Sequence, residues 1–122
     1  MKNPANLPMS PIKQLQIIPG VGKSIASDLV NIGIKKVDDL KGRVPDELYH
    51  QSNLNAGIIQ DRCLLYVFRC AVYFAETPPE EREPEKLKWW NWKDGGMEER
   101  ELEVRGWRVS SGVMYPPYPN SR

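Results

Sequence analysis

The sequence predicts an all-α fold: about five short helices packed on one long helix, followed by an irregular C-terminal tail. Three observations lead there. Apolar residues recur at three- and four-residue spacing from about residue 11 onward. Proline and glycine interrupt that pattern at short intervals. The stretch from residue 56 to 76 is apolar around most of its girth, as expected of a helix on which others pack.

Residues 1–10 are polar and carry proline, which suits an irregular arm. Ser10-Pro11 then starts a helix over residues 11–17. A hydroxyl serves as cap, and proline at the first helical position loses no hydrogen bond there. Ile12, Leu15 and Ile18 share its inner face. Pro19-Gly20-Val21-Gly22 breaks the helix, and a second runs from Lys23 to about Asn31 with Ile25, Ala26, Leu29 and Ile32 turned inward. Gly33 is placed to end it in a left-handed conformation. Val37 and Leu40 mark one further turn, stopped at Gly42. Pro45-Asp46-Glu47 opens another helix, with acidic residues where the dipole favours them.

The long helix is expected from Ala56 to Glu76, ended by Thr77-Pro78-Pro79. After an acidic linker, Pro84 starts a last helix bearing Leu87, Trp89, Trp90 and Trp92, closed by Asp94-Gly95-Gly96. Beyond it, Glu101 to Arg105 alternates like a strand. The organisation is therefore an arm (1–10), a helical domain (11–94) and an appendage (95–122).

Composition limits function. A chain of 122 residues fits one domain with a small core. No run of eighteen apolar residues exists, so no membrane-spanning helix is expected. Met1-Lys2-Asn3-Pro4 lacks an apolar signal region, which points to the cytoplasm. The net charge of +1 conceals an asymmetry. Residues 1–75 hold nine Lys and Arg against six Asp and Glu, whereas residues 76–122 hold eight against ten. Cys63 and Cys70, seven apart on one helix, lie too far from each other to bridge. With a single histidine they also lack metal-ligand spacing, and both are expected as small buried core thiols.

The most informative segment is Leu15-Gln16-Ile17-Ile18-Pro19-Gly20-Val21-Gly22-Lys23-Ser24-Ile25-Ala26. Two glycines around one apolar residue make a tight reversal between helices. Gly20 and Gly22 leave no Cβ in the way of an approaching group, while Val21 can anchor the turn inward. The amides at the start of the following helix have no partner within it, so hydrogen bonding and the dipole together attract an anion. Lys13, Lys23, Lys35, Lys36, Lys41 and Arg43 surround this region against Asp28, Asp38 and Asp39. Gly22-Lys23-Ser24 does not complete an NTPase phosphate loop, because Ile17 stands where its first glycine belongs. Nor is there a dinucleotide fingerprint, since position 25 is Ile rather than Gly.

The pattern apolar-Pro-Gly-apolar-Gly-basic, with small Ala26 at the helix crossing, resembles the helix-hairpin-helix family. That resemblance implies sequence-nonspecific contact with DNA phosphates through the hairpin. The contact residues would be Pro19, Gly20, Val21, Gly22, Lys23, Ser24 and Ile25, with charged support from Lys13, Lys35 and Lys36. It also implies a monovalent cation, K+ or Na+, on the carbonyls of Gln16, Ile18 and Val21. The segments 61–75 and 87–94, taken with the hairpin, further resemble the bacterial pathogenicity-locus family, whose members carry a mitomycin-resistance label. This would suit a DNA-associated role in damage resistance.

Arg62 and Arg69 lie on similar faces of the long helix. They could extend a phosphate-binding surface or pair with Asp61 and the acidic linker, and pairing is the favoured expectation. Trp89, Trp90 and Trp92 cannot all face one way on a helix. Core packing is expected for one or two, leaving at least one indole to meet a base or a protein. No enzyme is expected, because His50 stands alone beside Tyr49 and no nucleophile or acid–base pair is signalled. The sequence thus supports weak, nonspecific binding of double-stranded DNA. The alternative is a structural or protein-interaction module using Trp89, Trp90 and Trp92 together with the acidic tail.

Overall fold

A computed structural model describes residues 10–95 and 106–117. Within them lie four α-helices, α1 (Pro11–Leu15), α2 (Lys23–Asn31), α3 (Pro45–Ala56) and α4 (Cys63–Glu76). Short 3-10 turns occur at Val37–Leu40, Pro79–Glu81, Pro84–Leu87 and Trp89–Trp92. Strands β1 (Arg108–Ser110) and β2 (Val113–Tyr115) form a small antiparallel sheet, pairing Val109 with Met114. The protein is mostly helical, with this sheet as its one β element among the described residues.

Local chemistry explains the boundaries. The Ser10 hydroxyl accepts the Lys13 amide at 3.3 Å, and Pro11 occupies the first turn of α1. α1 is shorter than expected and ends at Leu15. The Asp39 carboxylate takes the amides of Lys35 and Lys36 at 3.0 and 3.3 Å, fixing the bend after α2. Gly33 has φ +95°, the left-handed geometry expected of it.

The expected 56–76 helix is instead split. α3 closes at Gly57 (φ +77°), and α4 starts only at Cys63. Gln60 laces the intervening loop to α3, its amide donating to Asn53 Oδ1 and its side-chain nitrogen to Ser52 Oγ, both at 3.0 Å. Asp61 Oδ1, one residue before the Arg62 cap, accepts the Cys63 amide at 2.8 Å and so satisfies the first amide of α4. Ile58 and Ile59 consequently lie 66 % and 86 % exposed rather than in the core.

α4 is nevertheless the central element. Leu65, Phe68, Cys70, Ala71 and Val72 are fully buried, and α3, the 37–40 turn and both turns of the tryptophan segment pack around it. Burying a Leu or Phe side chain contributes roughly 1.5–3 kcal/mol, so this helix dominates the apolar stabilisation. Arg82 closes its C-terminus: Nε donates to the carbonyls of Phe74 and Thr77 at 3.1 and 2.9 Å. The guanidinium also lies 3.6 Å over the Phe74 ring.

The tail corrects a second expectation. The alternating stretch 101–105 lies outside the described residues, but residues 106–117 are ordered as a hairpin rather than irregular. Ser111 (φ +52°) and Gly112 (φ +79°) supply the two left-handed positions of a type I′ turn. Trp107 and Met114 are buried, and the Trp107 ring lies 5.6 Å from that of Trp92. The final helix of the expected domain is also replaced by two 3-10 turns, 84–87 and 89–92. No helix among the described residues is long and apolar enough to cross a membrane.

Candidate nucleic-acid interface

The turn joining α1 and α2 is built by three apolar anchors. Leu15, Ile18 and Val21 are buried in the main core, and Ala26 is buried at the base of α2. The Val21 amide donates to the Ile18 carbonyl at 3.0 Å. With Pro19 in the second position and Gly20 at φ +86°, these residues have the signature of a type II turn. The anchors point in, so the intervening peptide groups are displayed outward.

Gly22 caps α2 with an extended backbone (φ −90°, ψ −170°) and no side chain to meet the helix. Its carbonyl accepts the Ala26 amide at 2.9 Å. The amides of Gly20, Gly22, Lys23, Ser24 and Ile25 have no acceptor among the described residues. Gly20, Gly22, Lys23 and Ser24 are exposed and Ile25 is half-buried. Several donors with the positive end of a nine-residue helix behind them are therefore open to one anionic oxygen. No acidic side chain of the described residues accepts a hydrogen bond from them, although Asp28 and Asp61 line the groove beside Gly20 and Ile25.

The two glycines differ. A Cβ at Gly22 would meet nothing within 4 Å, so this position is bare toward solvent. A Cβ at Gly20 would lie 2.9 Å from Trp89 Cδ1. Gly20 is thus required twice, for its left-handed backbone and for the indole seated against it. Nothing in the sequence spacing joins residues 20 and 89, and the sequence reading missed this contact.

The remaining candidates are more scattered. Lys13, Lys35 and Lys36 are exposed, whereas Lys41 is held by Asp38 at 3.4 Å. The carbonyls of Gln16, Ile18 and Val21 belong to the same turn, and that of Ile18 already accepts the Val21 amide. Beside the turn runs a groove of about 380 Å³ whose lining includes Gly20, Ile25, Asp28, Asp61, Cys63 and Trp89. Burial raises the Asp28 carboxyl above its ordinary range, while the Cys63 amide holds that of Asp61 below it. An anion is therefore better received on the open Gly22–Ser24 side than within the groove.

Arg62 and Arg69 do not form a phosphate surface. Arg62 pairs with Asp94 at 2.7 Å, and fully buried Arg69 donates to the Trp92 carbonyl at 2.8 Å and meets Asp94 at 3.1 Å. The partner is Asp94, not the expected Asp61 or the acidic linker. Hydrogen bonding from Arg62, then from Arg69, pulls the Asp94 carboxyl down to about 2. Burial instead raises the Asp46 carboxyl, against the attraction of Arg69 and Arg62.

Cys63 is exposed, contrary to the expected buried thiol, and Asp61 raises it above the ordinary thiol range. Cys70 is buried, which pushes it up to about 12. His50 is exposed, and no group of metal-ligating side chains occurs among the described residues. Trp92 is fully buried, with its indole N–H on the Lys86 carbonyl at 2.8 Å. Trp89 is half-buried and Trp90 is 53 % exposed.

Fold and turn together define a small, mostly helical protein with an outward-facing, amide-bearing turn between its first two helices. Within that class the chain belongs to the pathogenicity-locus family, Cdd1, whose family model matches residues 9–98. No curated protein and no solved structure matches the chain.

Proposed function

We propose that the 18–25 turn is a helix-hairpin-helix hairpin and that it binds the phosphate backbone of double-stranded DNA without reading its sequence. The observation that carries this reading is the set of unpartnered amides at Gly20 and Gly22–Ile25, on residues exposed except for half-buried Ile25 and anchored from beneath by Ile18 and Val21. Backbone donors recognise phosphate oxygens and carry no base information, which makes the contact sequence-nonspecific. Lys23 adds charge at the site, and Lys13, Lys35 and Lys36 add a more distant positive field. A K+ or Na+ ion on the carbonyls of Gln16, Ile18 and Val21 would stiffen the same turn. Cytoplasmic DNA contact of this kind would also suit the mitomycin-resistance label, through protection or repair of damaged duplex. No catalytic step is part of the reading.

Titration of labelled duplex at several salt concentrations tests it. With one or two phosphates neutralised, log K should fall against log salt with a slope of about −1 to −2. Gly22→Asp places a carboxylate among the donors and should abolish binding. Aspartate is a good helix cap, so the same variant should melt no lower than wild type. Binding that survives Gly22→Asp excludes the hairpin as the contact. The alternative, a structural or protein-docking module, gains only Trp90 as a freely exposed indole, because Trp92 is sealed in the core.

A further inference from the structure

Trp89 and Trp90 are neighbours in sequence but occupy different environments. Trp89 is half-buried against Gly20, so its position is fixed by the same turn that displays the amides. Trp90 is 53 % exposed, and its ring centroid lies 5.8 Å from that of Trp89 with the planes at 85°. In an edge-to-face pair one ring offers an edge and the other a face. Whichever role Trp90 takes, Trp89 leaves at least one face of its indole uncovered. The contacts Gly20–Trp89 and Trp89–Trp90 link this exposed indole to the 18–25 turn. Lys93 flanks it in sequence, whereas Lys88 is paired with Glu85 at 3.1 Å.

An exposed indole held by a neighbouring ring is a preorganised stacking surface, and every base offers it a π face. A paired base inside a continuous duplex does not, because both of its faces are already stacked. We propose that Trp90 stacks an unpaired base, and that the DNA preferred by this chain is a duplex carrying unpaired nucleotides next to the backbone held by the 18–25 turn. A single-stranded overhang, a gap or a frayed end would each satisfy this geometry. The inference rests on the phosphate-binding reading of the turn and adds a substrate class to it. Stacking tolerates any base, so the preference is for structure, not sequence.

The experiment compares a blunt duplex with the same duplex bearing a short single-stranded overhang, using the full chain at one moderate salt concentration. 2-Aminopurine at the first unpaired position reports stacking. Wild type should bind the overhang substrate more tightly by roughly five- to a hundred-fold and quench the 2-aminopurine. Trp90→Ala should remove both effects while leaving blunt-duplex affinity unchanged, and Trp90→Phe should retain most of each. Because Trp90 is exposed, Trp90→Ala should melt with wild type, which separates stacking from unfolding. Gly22→Asp should weaken both substrates.

If blunt duplex is bound but the overhang brings no preference, or if Trp90→Ala keeps the preference, the stacking role is wrong and the hairpin reading stands. A Trp90→Ala loss that is equal on both substrates overturns the unpaired-base assignment as well. If neither DNA binds, or Gly22→Asp changes nothing, the phosphate reading itself has failed. Trp90 would then be left to a protein partner.

Discussion

Replacing Gly20 by alanine attacks the turn at the one point where backbone and packing both require glycine. The φ of +86° lies in the left-handed region, which costs a residue with a Cβ about 1–2 kcal/mol. The added carbon would also stand 2.9 Å from Trp89 Cδ1, with Trp89 Cγ and Cβ at 3.5 and 3.6 Å. The whole indole edge must therefore retreat, and overpacking of this kind typically costs about 1–3 kcal/mol. The two effects act on different atoms, so their sum is about 2–5 kcal/mol. For a chain of this size each kcal/mol lowers the melting temperature by roughly 3–5 °C.

Gly22→Ala is the matched control. Its extended backbone accepts any residue and its Cβ meets open space, so only the weaker N-cap preference of alanine counts and the loss should not exceed about 1 kcal/mol. Urea unfolding followed by circular dichroism separates the two variants. A Gly20→Ala protein as stable as wild type would mean that Trp89 does not cover the turn. The link from the turn through Trp89 to Trp90 would fall with it.

Further consequences concern the charged and thiol groups. Asp94 is held at about 2 by Arg62 and Arg69, below the ordinary carboxyl value. Its contribution to stability is therefore complete above about pH 4 and is lost as pH falls from there toward 2. The carboxylate is half exposed, so screening reduces this contribution to about 1 kcal/mol; Asp94→Asn should flatten that part of the acid-unfolding curve. Asp46, raised by burial, works in the opposite sense and gains stability on protonation. A thiol reagent should titrate Cys63 alone in the native protein and reach Cys70 only after unfolding. Two fast-reacting thiols in the native state would contradict the packing of α4.

Much of the helical order is legible because its signals are local. Ser10-Pro11, Pro45 and Gly33 act within one turn, and each marks a boundary in the structure. The 56–76 stretch misled because Ile58 and Ile59 extend the apolar pattern across a break. That break is made by Gly57 and by the polar ties of Gln60 to Asn53 and Ser52, which hydrophobic periodicity does not register. The Ser111-Gly112 dipeptide is a turn signal that the sequence reading did not use, because Val113-Met114-Tyr115 after it does not alternate as a half-buried strand does. At the candidate site, the bare amides follow from Pro-Gly-Val-Gly alone. The Gly20–Trp89 contact and the Arg69–Asp94 pair join residues far apart in the chain, and only the packing around α4 brings them together.

Amide chemical shifts of the isotopically labelled chain, followed during titration with a short duplex, probe the donors themselves. Phosphate seated on the turn should move the signals of Gly20, Gly22, Lys23, Ser24 and Ile25, and leave buried α4 amides such as those of Phe68 and Val72 in place. Saturable duplex binding with those five signals unmoved, and shifts appearing on another face, would contradict the account.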